Sequence, residues 1–298
     1  MRRTIEISAS FTGKISTGQF ENSSPFYSIK EVYEPDQFDT FTDDRLKIRQ
    51  QELQAMCYSQ FKRDAEQAFA EKIAKQHKNF RFYDAKDGLK YPSVTSIINA
   101  NESFHIAEDE LNQYSARGTI IHKQVEIFLQ TGEWKPPKDI AEVSACYLAV
   151  VKGSLGLDLE DVDFRAFYKE YPFKVICLES QVLNDEYRYG GRTDIQCLIE
   201  SANPGKWAKI EGVKFDVPTI LDIKTSTALD TNKGLMQQAA YAMACNEKRQ
   251  DKIAQIGLIH LTKENKCGYA TPKLTSNIER YFALFLKLRN DFKSIYSI

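Results

Sequence analysis

The chain has 298 residues, enough for one large domain or for a domain with an appended module. Apolar residues make up 42% and charged residues 27%, as in ordinary folded proteins, so wholesale disorder is excluded. The formal net charge of -1 gives no overall attraction to nucleic acid or anionic lipid, although the 40 Lys and Arg residues can still be segregated onto one face.

No apolar run approaches the roughly 18 residues needed to cross a bilayer, and the N-terminus alternates like a strand instead of forming a signal-peptide block. We therefore expect a cytoplasmic protein without membrane contact. The six cysteines are scattered with no C-x-x-C pair, so neither a zinc ribbon nor a disulfide framework is indicated. Reduced, mostly buried thiols are the simplest interpretation.

The N-terminal module begins with apolar alternation and turn residues over 3–34, which predicts two or three antiparallel strands. Residues 42–76 open with a Thr/Asp cap and carry apolar residues at helical spacing, so they predict a long helix. Its exposed face mixes both charges, which is typical of a solvated surface rather than of a DNA-binding helix. For the module's aromatics, core packing is favoured over a nucleic-acid or partner surface; they are Phe11, Phe20, Phe26 and Tyr27.

A composition change near residue 80 divides the chain into an N-terminal strand-and-helix module, 1–79, and a larger domain, 80–298. The larger domain starts with a predicted hairpin turning at Asp87 and Gly88, followed by a Pro-Ser-Val-Thr helix start. Further helices are predicted at 106–131 and 138–152. From residue 172 the order is strand, strand, strand, helix, strand, helix. This order predicts an α/β fold with a mixed central sheet flanked by helices.

Polar residues interrupt two of the predicted strands. Asp194 follows two glycines and an arginine in "YGGRTDIQCLIE", and the apolar run "TILDIKTS" carries Asp222 and Lys224 two residues apart. Side chains at i and i+2 of a strand project from the same face, so this carboxylate and this ammonium are neighbours. Ion pairs at strand ends are also common as structural features. Two carboxylates from adjacent strands would suit Mg²⁺ or Mn²⁺.

Other polar residues are placed where they could join this group. Glu179 lies on the strand expected to pair with the Asp194 strand, although a strand glutamate is more often solvent-facing. His122 and Glu126 are four apart and share a helix face, as do Gln237 and Tyr241. The plainer alternatives are a satisfied histidine for the first pair and helix-to-sheet packing for the second.

In this order the features resemble the PD-(D/E)xK nuclease superfamily, in particular its RecB-like branch. That branch typically shows a helix His after a glycine, a strand Glu, a G-x-x-D strand start, a D/E-x-K strand and a Q-x-x-x-Y helix. All five occur here, over about residues 90 to 250, and "YPSVTSII" is similar to members encoded by phages and mobile elements. The resemblance implies a restriction-endonuclease-like core. Thr193 stands where the name-giving proline often lies.

The resemblance implies a metal-dependent deoxyribonuclease using Mg²⁺ or Mn²⁺, in particular an exonuclease of recombination, repair or phage DNA processing. It assigns Asp194, Asp222 and His122 to the metal, Lys224 to the attacking water and Glu179 to an additional acidic role. Gln237 and Tyr241 would contact the substrate backbone, and we add Arg192, Thr225 and Ser226 to substrate binding. The cysteine pattern of the iron–sulfur members is absent, so we expect no cluster.

Two further features remain open in the sequence. Glycines 190 and 191 are expected to turn the backbone tightly and to keep bulk away from a phosphate. The segment 201–216 carries Trp207 among lysines, which either packs as a hairpin tip or touches DNA.

Two other functions compete with an exonuclease. One is a catalytically silent nucleic-acid-binding module, which the intact Asp194, Asp222 and Lys224 disfavour. The other is an endonuclease of a defence system, for which residues 1–79 are the only candidate target-reading part, without a helix-turn-helix or zinc signature. DNA is the expected partner, and a recombination or single-strand annealing protein could be a second. The sequence leaves polarity, strand preference and oligomeric state open.

Overall fold

A computed structural model of the chain describes residues 5–12, 15–16, 22–23, 25–33, 43–76, 80–86, 88–100, 107–153, 155 and 163–296. Two compact units are present, one formed by Met1–Pro92 with Phe292–Ile298 and the other by Ser93–Asp291. The predicted boundary after residue 79 therefore lies inside the first unit. Phe20 and Asp87, which the sequence singled out, lie outside the described residues.

The first unit combines short strands with one long helix. Strand β1 (Ile5–Thr12), the short β2 (Ile15–Ser16) and β3 (Asn22–Ser23), and β4 (Phe26–Tyr33) precede helix α1 (Asp43–Gln76). β1 pairs antiparallel with β4, and β2 with β3, so the predicted antiparallel pairing is found, with four strands among the described residues where two or three were predicted. Ile7, Ala9 and Leu53 form the small core between β1 and α1.

A charged contact joins β4 to α1, and a hairpin follows α1 in the chain. Glu31 of β4 accepts two hydrogen bonds from Arg49 of α1, at 2.6 and 2.9 Å. Strands β5 (Phe82–Asp84) and β6 (Lys90–Pro92) pair antiparallel, and Gly88 between them has a φ of 80°. Such a φ favours glycine, which agrees with the predicted hairpin.

The second unit holds the remaining helices and a five-stranded sheet. The helices are α2 (Val94–Asn99), α3 (Glu108–Thr131), α4 (Ser144–Lys152), α5 (Phe164–Glu170), α6 (Thr231–Lys248) and α7 (Ile278–Tyr296), the last residues of α7 belonging to the first unit. The strands are β7 (Lys174–Asn184), β8 (Tyr189–Leu198), β9 (Pro218–Lys224), β10 (Gln255–His260) and β11 (Lys273–Thr275).

The sheet has the order β11-β10-β9-β8-β7. β9 and β10 are parallel and joined through α6, whereas the other neighbouring strands are antiparallel, so the sheet is mixed. The fold is therefore mixed α/β with a helix-flanked central sheet, as predicted. No helix in the described part of the chain is long and apolar enough to cross a membrane.

The helices differ from the prediction in two respects: one begins later than expected, and one was not predicted. The helix expected over 138–152 begins only at Ser144, because Ile140 is extended (φ -108°, ψ 103°) between two short 3-10 turns, Pro137–Asp139 and Ala141–Val143. The short helix α5 was not predicted, since its seven residues span too little sequence for a periodic signal. Its N-terminus is capped by the side chain of Asp163.

One face of the sheet packs against α3 and α5 in a single apolar cluster. Trp207 lies in that cluster and is completely buried, with its indole N–H donating to the carbonyl of Pro172 at 2.8 Å. Phe167 and Tyr171 contact its ring edge to face. Of the two alternatives for Trp207, packing is therefore the one observed, and its ring cannot stack on a base.

Candidate active site

The strand pairing brings three acidic residues to one part of the sheet. The β8–β9 ladder runs from Leu198 opposite Pro218 to Ile195 opposite Leu221, so Asp194 and Asp222 come next on the two strands. Asp194 Oδ2 accepts the backbone N–H of Ile223 at 2.9 Å. On the other side, Glu179 of β7 lies between the residues that pair with Ile195 and Thr193, and so opposite Asp194.

Helix α3 adds His122 to this group. His122 Nε2 lies 3.0 Å from the carbonyl oxygen of Ile223, and Nδ1 lies 3.4 Å from Asp194 Oδ2. A carbonyl only accepts hydrogen bonds, so Nε2 carries a proton. In the neutral ring, Nδ1 then directs its lone pair at a carboxylate oxygen. This arrangement is favourable only when a proton or a metal ion lies between the two atoms.

One nitrogen and two carboxylate groups come together at this point. Ligand atoms of His122, Glu179 and Asp194 all lie within 4.8 Å of one another. Glu179 also has a φ of 47°, which is uncommon for a residue with a side chain, and especially within a strand. Strain of this kind clusters at functional positions. The donor set and its geometry fit a divalent cation.

Burial is the main influence on the two acids of this cluster. It raises the pKa of Asp194, an effect that His122 opposes and the charge of Asp222 reinforces. Burial also raises the pKa of Glu179, and the charge of Asp194 adds to the shift. Neighbouring carboxylates that are costly to ionise are stabilised as anions by a bound cation.

Asp222 is not a member of that three-residue cluster. It is 3% exposed, and its two oxygens are directed to different partners. Oδ1 accepts a 2.8 Å hydrogen bond from Gln238, while Oδ2 makes no hydrogen bond within the described structure but lies 2.8 Å from Lys224 Nζ. Asp222 is therefore placed primarily to hold the lysine.

Lys224 is held as a cation. Burial lowers the pKa of Lys224, but the charge and hydrogen bond of Asp222 together with the charge of Asp194 outweigh it, so the net direction is upward. A lysine that stays protonated cannot take a proton from water. The activating role expected for Lys224 is therefore less favourable than the orienting one, in which the ammonium stabilises negative charge.

A chain of hydrogen bonds continues from Lys224 to helix α6. Lys224 Nζ donates to Gln237 Oε1 at 2.8 Å, and Gln237 Nε2 donates to the hydroxyl of Tyr241 at 2.9 Å. Tyr241 is buried, and burial raises its pKa, so it remains a neutral phenol. Gln237, itself hydrogen-bonded to Tyr241, thus holds the lysine side chain in place from α6.

No family model matches the sequence, and no curated protein matches it. The chemistry of the site therefore rests on the residues themselves. Seven of the ten predicted site residues form the two neighbouring groups described above, and His122, Glu179 and Asp194 are the three that could share a metal. Arg192 is 58% exposed and makes only a 3.6 Å ion pair with Glu179.

Thr225 and Ser226 directly follow β9, and hydrogen bonds to their backbone carbonyls hold them in place. The carbonyl of Thr225 accepts from Arg117 at 2.8 Å, and that of Ser226 lies 2.6 Å from His260 Nε2. The hydroxyl of Ser226 donates to the carbonyl of Ala228 at 2.7 Å. Neither Arg117 nor His260 was predicted, because nothing in their local sequence indicates these partners.

Gln238 was also missed, although the sequence contains a signal for it. Leu235, Gln238, Ala239 and Ala242 form one buried helical face of α6, and a polar residue on such a face requires a partner. The facing strand offers Asp222. The motif-based choice of Gln237 overlooked its neighbour.

Gly191 has a role different from the one expected. It is buried within β8, and a Cβ atom there would lie 2.1 Å from Cε1 of Tyr241. The glycine therefore makes room for the tyrosine ring. The predicted tight turn is not found at this position, since residues 189–198 form one strand.

Replacing this glycine tests its packing role. We expect Gly191→Ala to lower the free energy of unfolding by about 1–3 kcal/mol, because the buried Tyr241 ring cannot yield without disturbing Gln237. Gly118→Ala is the control. Its Cβ would lie 3.5 Å from Thr225 Oγ1, an ordinary contact, and alanine in the interior of α3 should stabilise by up to about 1 kcal/mol. Urea unfolding of both variants measures the difference, and equal effects would contradict the assignment.

Proposed function

We propose that the protein is a metal-dependent phosphodiesterase that hydrolyses DNA. The observation that carries the proposal is a set of possible metal ligands beside a fixed ammonium group. Ligand atoms of His122, Glu179 and Asp194 lie within 4.8 Å of one another, and Asp222 on the next strand holds Lys224. The order of these residues supports membership of the PD-(D/E)xK superfamily, with a restriction-endonuclease-like core. By the same resemblance we propose an exonuclease of recombination, repair or phage DNA processing.

The residues fit Mg²⁺ or Mn²⁺. Nδ1 of His122 lies 3.4 Å from Asp194 Oδ2, and the two carboxylates supply hard oxygen ligands. A bound ion would polarise a phosphate oxygen and lower the pKa of a bound water. Asp222, predicted as a ligand, is more favourably assigned to holding Lys224, since one of its oxygens is hydrogen-bonded to Gln238 and the other faces the ammonium.

The chain's own groups provide the remaining chemistry. The ammonium of Lys224 would lie beside the phosphate and stabilise the negative charge that develops as water displaces the 3′ oxygen in line. Asp222 and Gln237 fix the position of Nζ, so little reorganisation is needed during the reaction. A fixed cation at the reacting group is the arrangement that electrostatic catalysis requires.

The proposal is tested with end-labelled linear duplex, linear single strand and closed circular DNA, each with Mg²⁺, Mn²⁺ or EDTA. We expect loss of linear DNA only with metal present, and the position of the label gives the polarity. Cleavage of the circle would establish an endonuclease instead. Retained DNA binding with no cleavage of any substrate would contradict the proposal and favour the silent binding module.

A further inference from the structure

A pocket of about 440 Å³ opens beside the candidate active site. Its walls come from α2, from the start of α3 and from the segment leading into α6. Its lining includes the aliphatic side chains of Ile98, Leu111, Ala228 and Leu229. The volume falls in the range of small-molecule sites.

The pocket and the active site share two residues. Lys224 and Gln237 line the pocket while forming the hydrogen-bonded network described above. A molecule in the pocket would therefore have its negative group at Lys224 and its apolar body among the aliphatic side chains. Asn99 also lines the pocket, and its side-chain oxygen has no hydrogen-bond partner among the described residues.

We propose that this pocket receives the base of the nucleotide next to the scissile phosphate. This inference rests on the proposed function and specifies its substrate. A nucleotide has the required combination of a phosphate, a flat apolar ring and polar ring edges. Bases taken out of a duplex are held in this way, between apolar side chains with hydrogen bonds to their edges.

A consequence follows for the kind of DNA that is used. A base paired within a duplex cannot enter a side pocket, so the terminal nucleotide must be unpaired before the phosphate reaches Lys224. The enzyme should therefore prefer frayed or single-stranded ends to blunt ends. The expected preference is about tenfold, the scale expected for burying one flat ring among aliphatic side chains.

Binding measured without cleavage tests the pocket. The probes are fluorescent DNA hairpins with a blunt end, with a two-nucleotide unpaired end, or with the same end made abasic, titrated in Ca²⁺ and followed by anisotropy. We expect the unpaired end to bind about tenfold more tightly than the blunt end. The abasic end should lose that advantage if the pocket holds the base rather than the backbone.

Two substitutions fill the pocket, Leu229→Trp and Leu111→Phe, the second serving if the first does not fold. Each should abolish the preference for the unpaired end. Leu148→Trp is the matched control, because Leu148 lies on α4, is 51% exposed and does not line the pocket. A wild-type protein without preference, or a preference that survives filling of the pocket, would overturn the inference.

The same preparations separate this inference from the proposed function. Cleavage with Mg²⁺ or Mn²⁺ but without preference for unpaired ends would contradict the base pocket and support the nuclease activity. A preference that disappears with the abasic end and with Leu229→Trp, in a protein that cleaves no substrate, would support the base pocket and contradict the nuclease activity.

Discussion

Lys224→Ala is expected to reduce DNA hydrolysis by about 100-fold or more, the magnitude found when a positioned donor to the developing charge is removed. Nζ of Lys224 lies 2.8 Å from both Asp222 and Gln237, so the ammonium is fixed before substrate binds. Substrate affinity should fall much less than the rate, because a group that stabilises charge developing in the transition state interacts more weakly with the bound substrate. Single-turnover rates and DNA affinity, measured separately, distinguish the two effects.

Loss of the lysine also leaves a buried carboxylate. Asp222 is 3% exposed, and removing one partner of a buried pair typically costs about 3–5 kcal/mol of unfolding free energy. The double variant Asp222→Asn/Lys224→Met removes both charges and should recover stability but not hydrolysis. Recovery of hydrolysis in this variant would show that the pair is structural.

A surface ion pair supplies the matched control for these variants. Lys248 lies 2.7 Å from Asp185, and both side chains are about half exposed. Exposed pairs of this kind contribute little to stability. Lys248→Ala should therefore retain both the fold and the hydrolytic rate, and a loss there comparable with Lys224→Ala would mean that the assay reports general damage.

The order of strands and helices in the second unit was predictable because each element is long enough to show its period. The i and i+2 rule correctly placed Asp222 and Lys224 on one face of β9, and the 2.8 Å ion pair is its direct consequence. The strand–helix–strand order around α6 also agrees with the predicted mixed sheet, in which β9 and β10 form the parallel pair. The three-residue β11 and the short helix α5 were not predicted, since neither segment shows a pattern that separates it from a loop.

The details of the site depend on contacts between distant segments, which spacing does not encode. Arg117 and His260 hold backbone carbonyls of the Thr225–Ser226 segment from α3 and β10, respectively. The different roles of Asp194 and Asp222 also depend on contacts with distant segments. Asp194 faces His122, whereas Asp222 faces Gln238, and both acids lie just beyond the last pair of the β8–β9 ladder, Ile195 and Leu221.

Gly191 illustrates how a correct residue can be given the wrong reason. A glycine beside a candidate catalytic aspartate suggests a tight turn or close approach of a phosphate. The close approach exists, but the neighbour is the ring of Tyr241, from a helix that comes 40 residues later at Thr231. Only the packing of α6 on β8 reveals it.

Asp194→Asn is expected to separate metal binding from folding. The side-chain oxygen of asparagine can still accept the N–H of Ile223, so the local geometry should persist. Asp194 is 14% exposed, and an uncompensated charge there is unfavourable to bury. In EDTA at neutral pH the variant should therefore be at least as stable as the wild type.

With metal present, the order of stability should reverse, so that the wild type is more stable than Asp194→Asn. Mn²⁺ at a hundredfold excess over its Kd should raise the unfolding free energy of the wild type by about 2.7 kcal/mol, and that of Asp194→Asn by much less. Thermal or urea unfolding with and without Mn²⁺ provides the measurement.

Asp185→Asn is the surface control and should keep the full response to Mn²⁺, since its half-exposed carboxylate pairs with Lys248 away from the three-residue cluster. If Asp194→Asn were destabilised in EDTA and still stabilised by Mn²⁺, the carboxylate would be a structural group. The metal site would then have to lie elsewhere. If the variant is stable and insensitive to Mn²⁺, Asp194 serves metal binding and not folding. Its raised pKa then reflects an acid that is unfavourable to bury without the cation and is stabilised as an anion when the cation is bound.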